Sequence, residues 1–140
     1  MVSFANQPFR DSQRRLTYQA RLSGVFVRVF SLQERHLHQE FRDRHRAFLE
    51  SNPRGFGFWI WKPQIILQRL DEVENGDTLV YLDAGCHINA QGRARFLEYM
   101  ALLASSRSGI IAFELKGTNG SHLTQAYTKE DVLLALLKDV

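Results

Sequence analysis

The sequence predicts an α/β fold: a mostly parallel sheet of about four strands sandwiched by helices. Two observations carry that expectation. Apolar runs rich in β-branched and aromatic residues recur at 2–5, 25–30, 78–82 and 109–115. Between them lie amphipathic stretches long enough to make the crossovers that parallel pairing requires. The resulting order, β-α-β-α-α-β-α-β-α, places helices on both faces of the sheet. At 140 residues, the chain reads as one domain, 1–140.

The opening apolar segment, 2–5, gives way to the turn-like Asn6-Gln7-Pro8. A helix follows over 11–22, capped by Asp11 or Ser12, with Leu16, Ala20 and the stem of Arg21 near one face. Gly24 stands where helices commonly end. The next strand is expected over 25–30. A second helix over 38–51 carries Phe41, His45 and Phe48 on one face, and Asn52-Pro53-Arg54-Gly55 breaks it. Pro63 suits the first turn of a third helix, which turns Ile65, Ile66, Leu67 and Leu70 toward a core and stops near Gly76. The strand over 78–82 follows. A fourth helix over 91–105 has Phe96, Met100 and Leu103 inward, before the strand over 109–115. Residues 116–121 read as a loop. Thr128 to Asp131 resembles a capping box before a last helix over 132–138.

Bulk composition narrows the class only slightly. Hydrophobic residues make up 44% and charged residues 24%, which fits a chain able to bury a core. The net charge of +3 admits an anionic ligand without selecting one. A single cysteine, Cys86, has no partner for an internal disulfide, which fits a reducing compartment. No run approaches the ~20 apolar residues that cross a bilayer. The expected location is cytoplasmic, with peripheral contact at a membrane left open through the basic residues.

Chemistry concentrates in two stretches. Gly55-Phe56-Gly57-Phe58-Trp59-Ile60-Trp61-Lys62-Pro63 joins aromatic rings to an ammonium. Rings stack on a nucleobase or a sugar, and Lys62 can meet a phosphate. The plainer account makes the rings a core cluster with Lys62 reaching to water. The second stretch, 78–82, runs apolar into Asp83-Ala84-Gly85-Cys86. Ligands of open α/β sheets collect beyond the carboxyl ends of strands, which makes Asp83 a candidate for holding a ligand or a metal ion. Gly85 lets backbone approach a ligand closely. The alternative is that Asp83 caps the following turn.

Other motifs carry less. Cys86-His87 lacks a third group to orient a thiolate pair, so a small, partly buried Cys86 is expected. The five histidines match no zinc spacing. Arg42, Arg44 and Arg46 are interrupted by Asp43 and read as a solvated helix face, which disfavours a nucleic-acid partner. Gly55-x-Gly57 lacks the remainder of a dinucleotide fingerprint.

These residues resemble bacterial glycosyltransferase-like proteins of the GT-A type, with a Rossmann-like nucleotide-diphospho-sugar transferase fold. The resemblance runs through Ser3-Phe4-Ala5-Asn6, Gln19-Ala20 with Gly24-Val25-Phe26, the aromatic stretch ending Trp61-Lys62-Pro63, Tyr81-Leu82-Asp83-Ala84-Gly85-Cys86, and Tyr127 to Asp131. It implies that Ser3 and Asn6 border a nucleotide. It also implies that Asp83 stands at the first acid of the Asp-x-Asp signature, which binds manganese or magnesium against the diphosphate. Gly85 occupies the second acid position. Members of that family run well beyond 140 residues, so the resemblance covers their N-terminal, donor-binding part, and the chain reads as a fragment, a minimal domain, or a protein whose remaining function lies elsewhere.

The expected donor site is therefore Ser3, Asn6, Trp61, Lys62, Asp83 and Gly85, with Asp83 as the metal ligand and Glu114 as the candidate base. The implied partners are a nucleoside-diphosphate sugar and a carbohydrate acceptor, on the pattern of cell-surface polysaccharide synthesis. The competing expectation is a non-catalytic binding or scaffold module derived from such a transferase.

Overall fold

The structure is a computed structural model that describes residues 1–113, 116–117 and 120–121. The chain divides into two units, Met1–Leu97 and Glu98–Val140. The first unit opens with strand β1 (Val2–Phe4), helix α1 (Arg10–Ser23) and strand β2 (Phe30–Leu32). Helix α2 (Gln39–Ser51), a short helical turn α3 (Gly55–Phe58) and helix α4 (Trp61–Leu70) follow. Helix α5 (Arg93–Ser105) comes next in sequence. No helix among the described residues is long and apolar enough to cross a membrane.

β1 is the centre of the first unit. It pairs in parallel with β2, Val2 opposite Phe30 and Phe4 opposite Leu32. On its other side Val2 bridges Tyr81 in parallel. Val2 N–H donates to Val80 O at 2.8 Å, and Leu82 N–H donates to Val2 O at 3.0 Å. The 80–82 segment therefore delivers Asp83 directly beyond the same end of β1 that leads into Ala5 and Asn6.

Alternation along β1 splits the core in two. Val2 and Phe4 face Trp61 and Ile65 of α4, together with Leu32 and Leu37. Met1 faces Leu16 and Ala20 of α1, with Phe26, Val29, Val80 and Leu82 around them. α1 forms because Gln13, Leu16 and Ala20 recur along one helix face and are buried there. Gln13 spans the seam: its Nε2 donates to Ser3 O at 3.2 Å and to Leu32 O at 2.9 Å. Gln68 of α4 does similar work. Its Nε2 donates to His36 O at 2.9 Å, and its Oε1 accepts from His38 N–H at 3.0 Å. His36 itself accepts from Gln33 N–H through Nδ1 at 2.8 Å, a capping role.

The four-strand parallel sheet expected from sequence is not what forms. The described chain is mostly helical, and its parallel sheet has two strands. The reasons are local. At 25–29, Val27 is fully exposed, while Phe26 and Val29 pack on the same cluster. A spacing of three cannot place both on one face of a strand, so pairing begins only at Phe30. At 78–82, β1 is three residues long and offers backbone partners only to Val80 and Leu82. Thr78 lies beyond its reach. At 110–113, Ile110 and Phe113 are exposed, and no strand among the described residues pairs with them.

The helices lie close to their expected bounds at 11–22, 38–51 and 91–105. In the second unit the expected loop at 116–121 carries an antiparallel pairing of β3 (Lys116–Gly117) with β4 (Gly120–Ser121). Tyr99 and Phe113 meet edge to face at 5.2 Å. The expected helix over 132–138 lies outside the described residues.

Candidate functional site

A cleft of about 110 Å³ opens where β1 and the 80–82 segment end. That is space for several water-sized groups. Phe4, Ala5, Asn6 and Phe9 line it from the β1 side, Gly55, Trp59 and Trp61 from the aromatic stretch, and Asp83, Ala84 and Gly85 from the opposite turn. Two of these rings are half-exposed, Phe9 at 51% and Trp59 at 46%. Trp61, by contrast, is buried and stacks on Phe4 with ring centroids 3.9 Å apart. Its Nε1 donates to Gly55 O at 2.9 Å. Trp61 is thus a structural ring that also walls the cleft, and Trp59 is the ring presented to solvent.

The backbone of the aromatic stretch explains that division. Residues 55–59 all have positive φ, between 49° and 76°. Phe58 N–H donates to Arg54 O and Trp59 N–H to Gly55 O, so α3 and its exit wind as a left-handed turn. Each non-glycine residue in that conformation costs about 1–2 kcal/mol. Three pay it here: Phe56, Phe58 and Trp59. Glycine avoids a second conflict at the other two positions. A Cβ on Gly55 would lie 2.6 Å from the Trp59 ring, and one on Gly57 would lie 2.5 Å from Leu49 Cδ2. Phe58 meets Phe48 edge to face, and the Arg54 guanidinium lies 6.0 Å over the Trp59 ring. Held strain of this kind clusters at ligand clamps.

On the opposite turn, Asp83 is the centre of a three-residue cluster. Its Oδ1 accepts from the Tyr81 hydroxyl at 2.7 Å and lies 3.0 Å from Lys62 Nζ. Its Oδ2 lies 3.3 Å from the same ammonium. Lys62 Nζ also sits 5.2 Å over the Tyr81 ring. Partial burial pushes the Asp83 carboxyl up, but the Tyr81 hydroxyl and the Lys62 ammonium outweigh it and hold it below its ordinary value. Burial, then the hydrogen bond to Asp83, pushes Tyr81 far above its usual value, so it keeps its proton. The cluster at neutral pH is a carboxylate, an ammonium and a neutral phenol. Behind the turn, Cys86 N–H donates to Asp83 O at 2.9 Å, and Arg15 Nη2 donates to Cys86 O at 3.3 Å.

Of the residues expected at the site, Asn6, Trp61, Asp83 and Gly85 line one cleft, and Lys62 is bound to Asp83 beside it. Ser3 lies elsewhere: it is fully buried under α1, with its hydroxyl 3.3 Å from Gln13 Nε2. Glu114 lies outside the described residues. Phe9 and Tyr81 join the site without having been named as candidates, and Trp59 joins it as the ring of the aromatic stretch that faces solvent. Tyr81 was legible in principle, because residues two apart on an extended segment share a face. Cys86 is half-buried and packs in the Met1 cluster. Arg44 and Arg46 are paired with Glu40 and Asp43 along α2.

The donor set does not fit a divalent metal. Both oxygens of Asp83 are engaged, Gly85 supplies no side-chain oxygen, and no group of three His, Cys, Asp or Glu side chains among the described residues is placed to hold an ion. Compared with known proteins, the chain matches no family model, no curated protein and no solved structure.

Proposed function

We propose that this cleft seats one part of a nucleoside-diphosphate sugar, the rest lying outside it, and that the protein is a glycosyltransferase-like protein that passes the sugar to a carbohydrate acceptor. The observation that carries this reading is the pairing of two exposed rings with a charged cluster across one small cleft. Phe9 and Trp59 offer apolar faces to a base or a sugar ring. The Asn6 amide, with no hydrogen-bond partner among the described residues, is free for a ribose or base edge. Lys62, paired with Asp83 beside the cleft, is the nearby cation that could meet a diphosphate. In transfer, the acceptor oxygen bonds the anomeric carbon as the carbon–oxygen bond to the nucleoside diphosphate breaks, the hydroxyl proton passes to water or to the departing phosphate, and an ammonium placed at the leaving group lowers that barrier. The reading rests on this local arrangement and does not need a larger sheet. A role in cell-surface polysaccharide synthesis is the reading's natural setting.

Saturation-transfer NMR with uridine, guanosine, cytidine and adenosine diphosphate sugars tests the reading. Base and sugar protons of at least one donor should receive saturation from the protein, and Trp59→Ala should abolish it. Silence from all of them at millimolar concentration sinks the proposal.

A second reading has its own support. Among the described residues, Asp83 is the one ionisable residue that lines the cleft, and its carboxylate is already bound by Tyr81 and Lys62. That lining favours a non-catalytic binding module. Donor binding without sugar release to water or to any acceptor selects it.

A further inference from the structure

We propose that Lys62 takes the place of a divalent cation in this cleft, so that the protein binds a nucleoside diphosphate without metal, and that Asp83 serves to position Lys62. The inference rests on the nucleotide-sugar reading above and adds to it the source of positive charge. Three features of the cluster lead to it.

First, the place a metal would take beside Asp83 is filled by an ammonium. Lys62 Nζ lies within 3.3 Å of both carboxylate oxygens. A divalent ion approaching Asp83 meets a like charge already within 3.3 Å of both oxygens. Second, the ammonium is not used up. It has three donors, and a single carboxylate with one ring face leaves at least one of them free. Its side chain is 33% exposed, so a second anion can reach it. Third, the ammonium is held on two sides. Asp83, which lines the cleft, fixes the ammonium beside it, and the Tyr81 ring lies under it at 5.2 Å. A flexible lysine stem would otherwise spread its charge over many rotamers. Asp83 is thus a positioning residue acting through Lys62, and Tyr81 orients Asp83 in turn.

The adjacent glycine sharpens the argument. A Cβ at Gly85 meets no atom within 4 Å. An acid is therefore sterically admissible there, and the position simply does not carry one. Gly85→Asp should add a second carboxylate beside the first and give the protein a response to manganese that it otherwise lacks.

The test is calorimetric titration of the full chain with uridine, guanosine, cytidine and adenosine diphosphates, and with the matching free nucleosides. Each is run in EDTA and again in manganese. The expected result is binding of a diphosphate that EDTA leaves unchanged. Lys62→Met should weaken it about tenfold to a hundredfold, as loss of a charge-assisted contact does. Lys62→Arg should restore most of the affinity, and the free nucleoside should bind Lys62→Met about as well as wild type. Asp83→Asn should weaken diphosphate binding more than it weakens nucleoside binding. A diphosphate that binds only with manganese overturns the inference and leaves the nucleotide-sugar reading standing. EDTA-resistant binding that Lys62→Met does not weaken overturns it as well. No binding under either condition overturns both.

Discussion

Asp83 combines two roles that one carboxylate seldom fills. It is 58% exposed, yet two donors hold its charge in place. Because its folded-state value is depressed, its contribution to stability is present above the unfolded-state value. That contribution is lost as pH falls through the lower folded value. Between neutrality and the ordinary aspartate range, the cluster should therefore stay intact. Carbon-detected NMR of the carboxyl should find Asp83 titrating below an exposed aspartate, and Lys62→Met should move it upward. A wild-type Asp83 that titrates at or above the ordinary value contradicts the hydrogen bonds described. Exposure keeps the stability effect itself small, since exposed pairs are screened by water. Gly55 makes a different prediction at the same scale. Its added methyl would strike the Trp59 indole at 2.6 Å, so Gly55→Ala should drive that ring from its present position. Tryptophan emission should shift and nucleotide binding should fall, with Trp61 remaining buried. An unchanged emission spectrum and affinity would mean that the ring was never held there.

Among the elements, α1 was legible because its signals agree. Leu16 and Ala20 share a face and Gly24 follows the last residue, while Asp11 and Ser12, expected as caps, lie inside the helix behind an uncapped Phe9. α2 and α4 were legible as helices but not in their inward faces: Phe48, Leu67 and Leu70 are exposed, Leu49 and Gln68 are buried, and α4 ends at Leu70 rather than near Gly76. The strands were not, because strand patterning describes what a segment can bury and not what it can pair with. The 25–29 stretch has strand composition, but β1 is too short to receive it. The site was partly legible. Lys62 and Asp83 were visible as charges placed against apolar runs. Trp59 was not separable from Trp61, since the left-handed turn that turns one outward and the other inward leaves little mark in composition beyond two glycines. That turn has a measurable weak point. Gly57→Ala places a methyl 2.5 Å from Leu49 Cδ2 on a backbone of φ +76°. The combined clash and strain should lower unfolding free energy by about 1–3 kcal/mol, read as a shifted denaturant midpoint. A midpoint equal to wild type would mean the segment does not pack as described.

At the scale of the molecule, two expectations differ from those of a large parallel sheet. Far-ultraviolet circular dichroism should be dominated by helix, with only a minor strand component, as the described elements require. Ligand binding should also stabilise the folded chain strongly, because the cleft joins β1, the aromatic stretch and the 83–85 turn. A nucleoside diphosphate at a hundredfold its dissociation constant adds ~2.7 kcal/mol by mass action. For a chain of this length that raises the melting temperature on the order of 10 °C. The rise should occur equally in EDTA, and a rise seen only with manganese would point back to a metal.

The left-handed run also bears on the order in which the chain assembles. Phe56, Phe58 and Trp59 rarely visit that hand on their own, so the turn cannot nucleate anything. It has to be imposed late, once Leu49 of α2 and Trp61 of α4 stand in position to receive it. Gly57→Ala should then leave the refolding rate almost untouched and accelerate unfolding alone, a kinetic signature of contacts absent from the transition state.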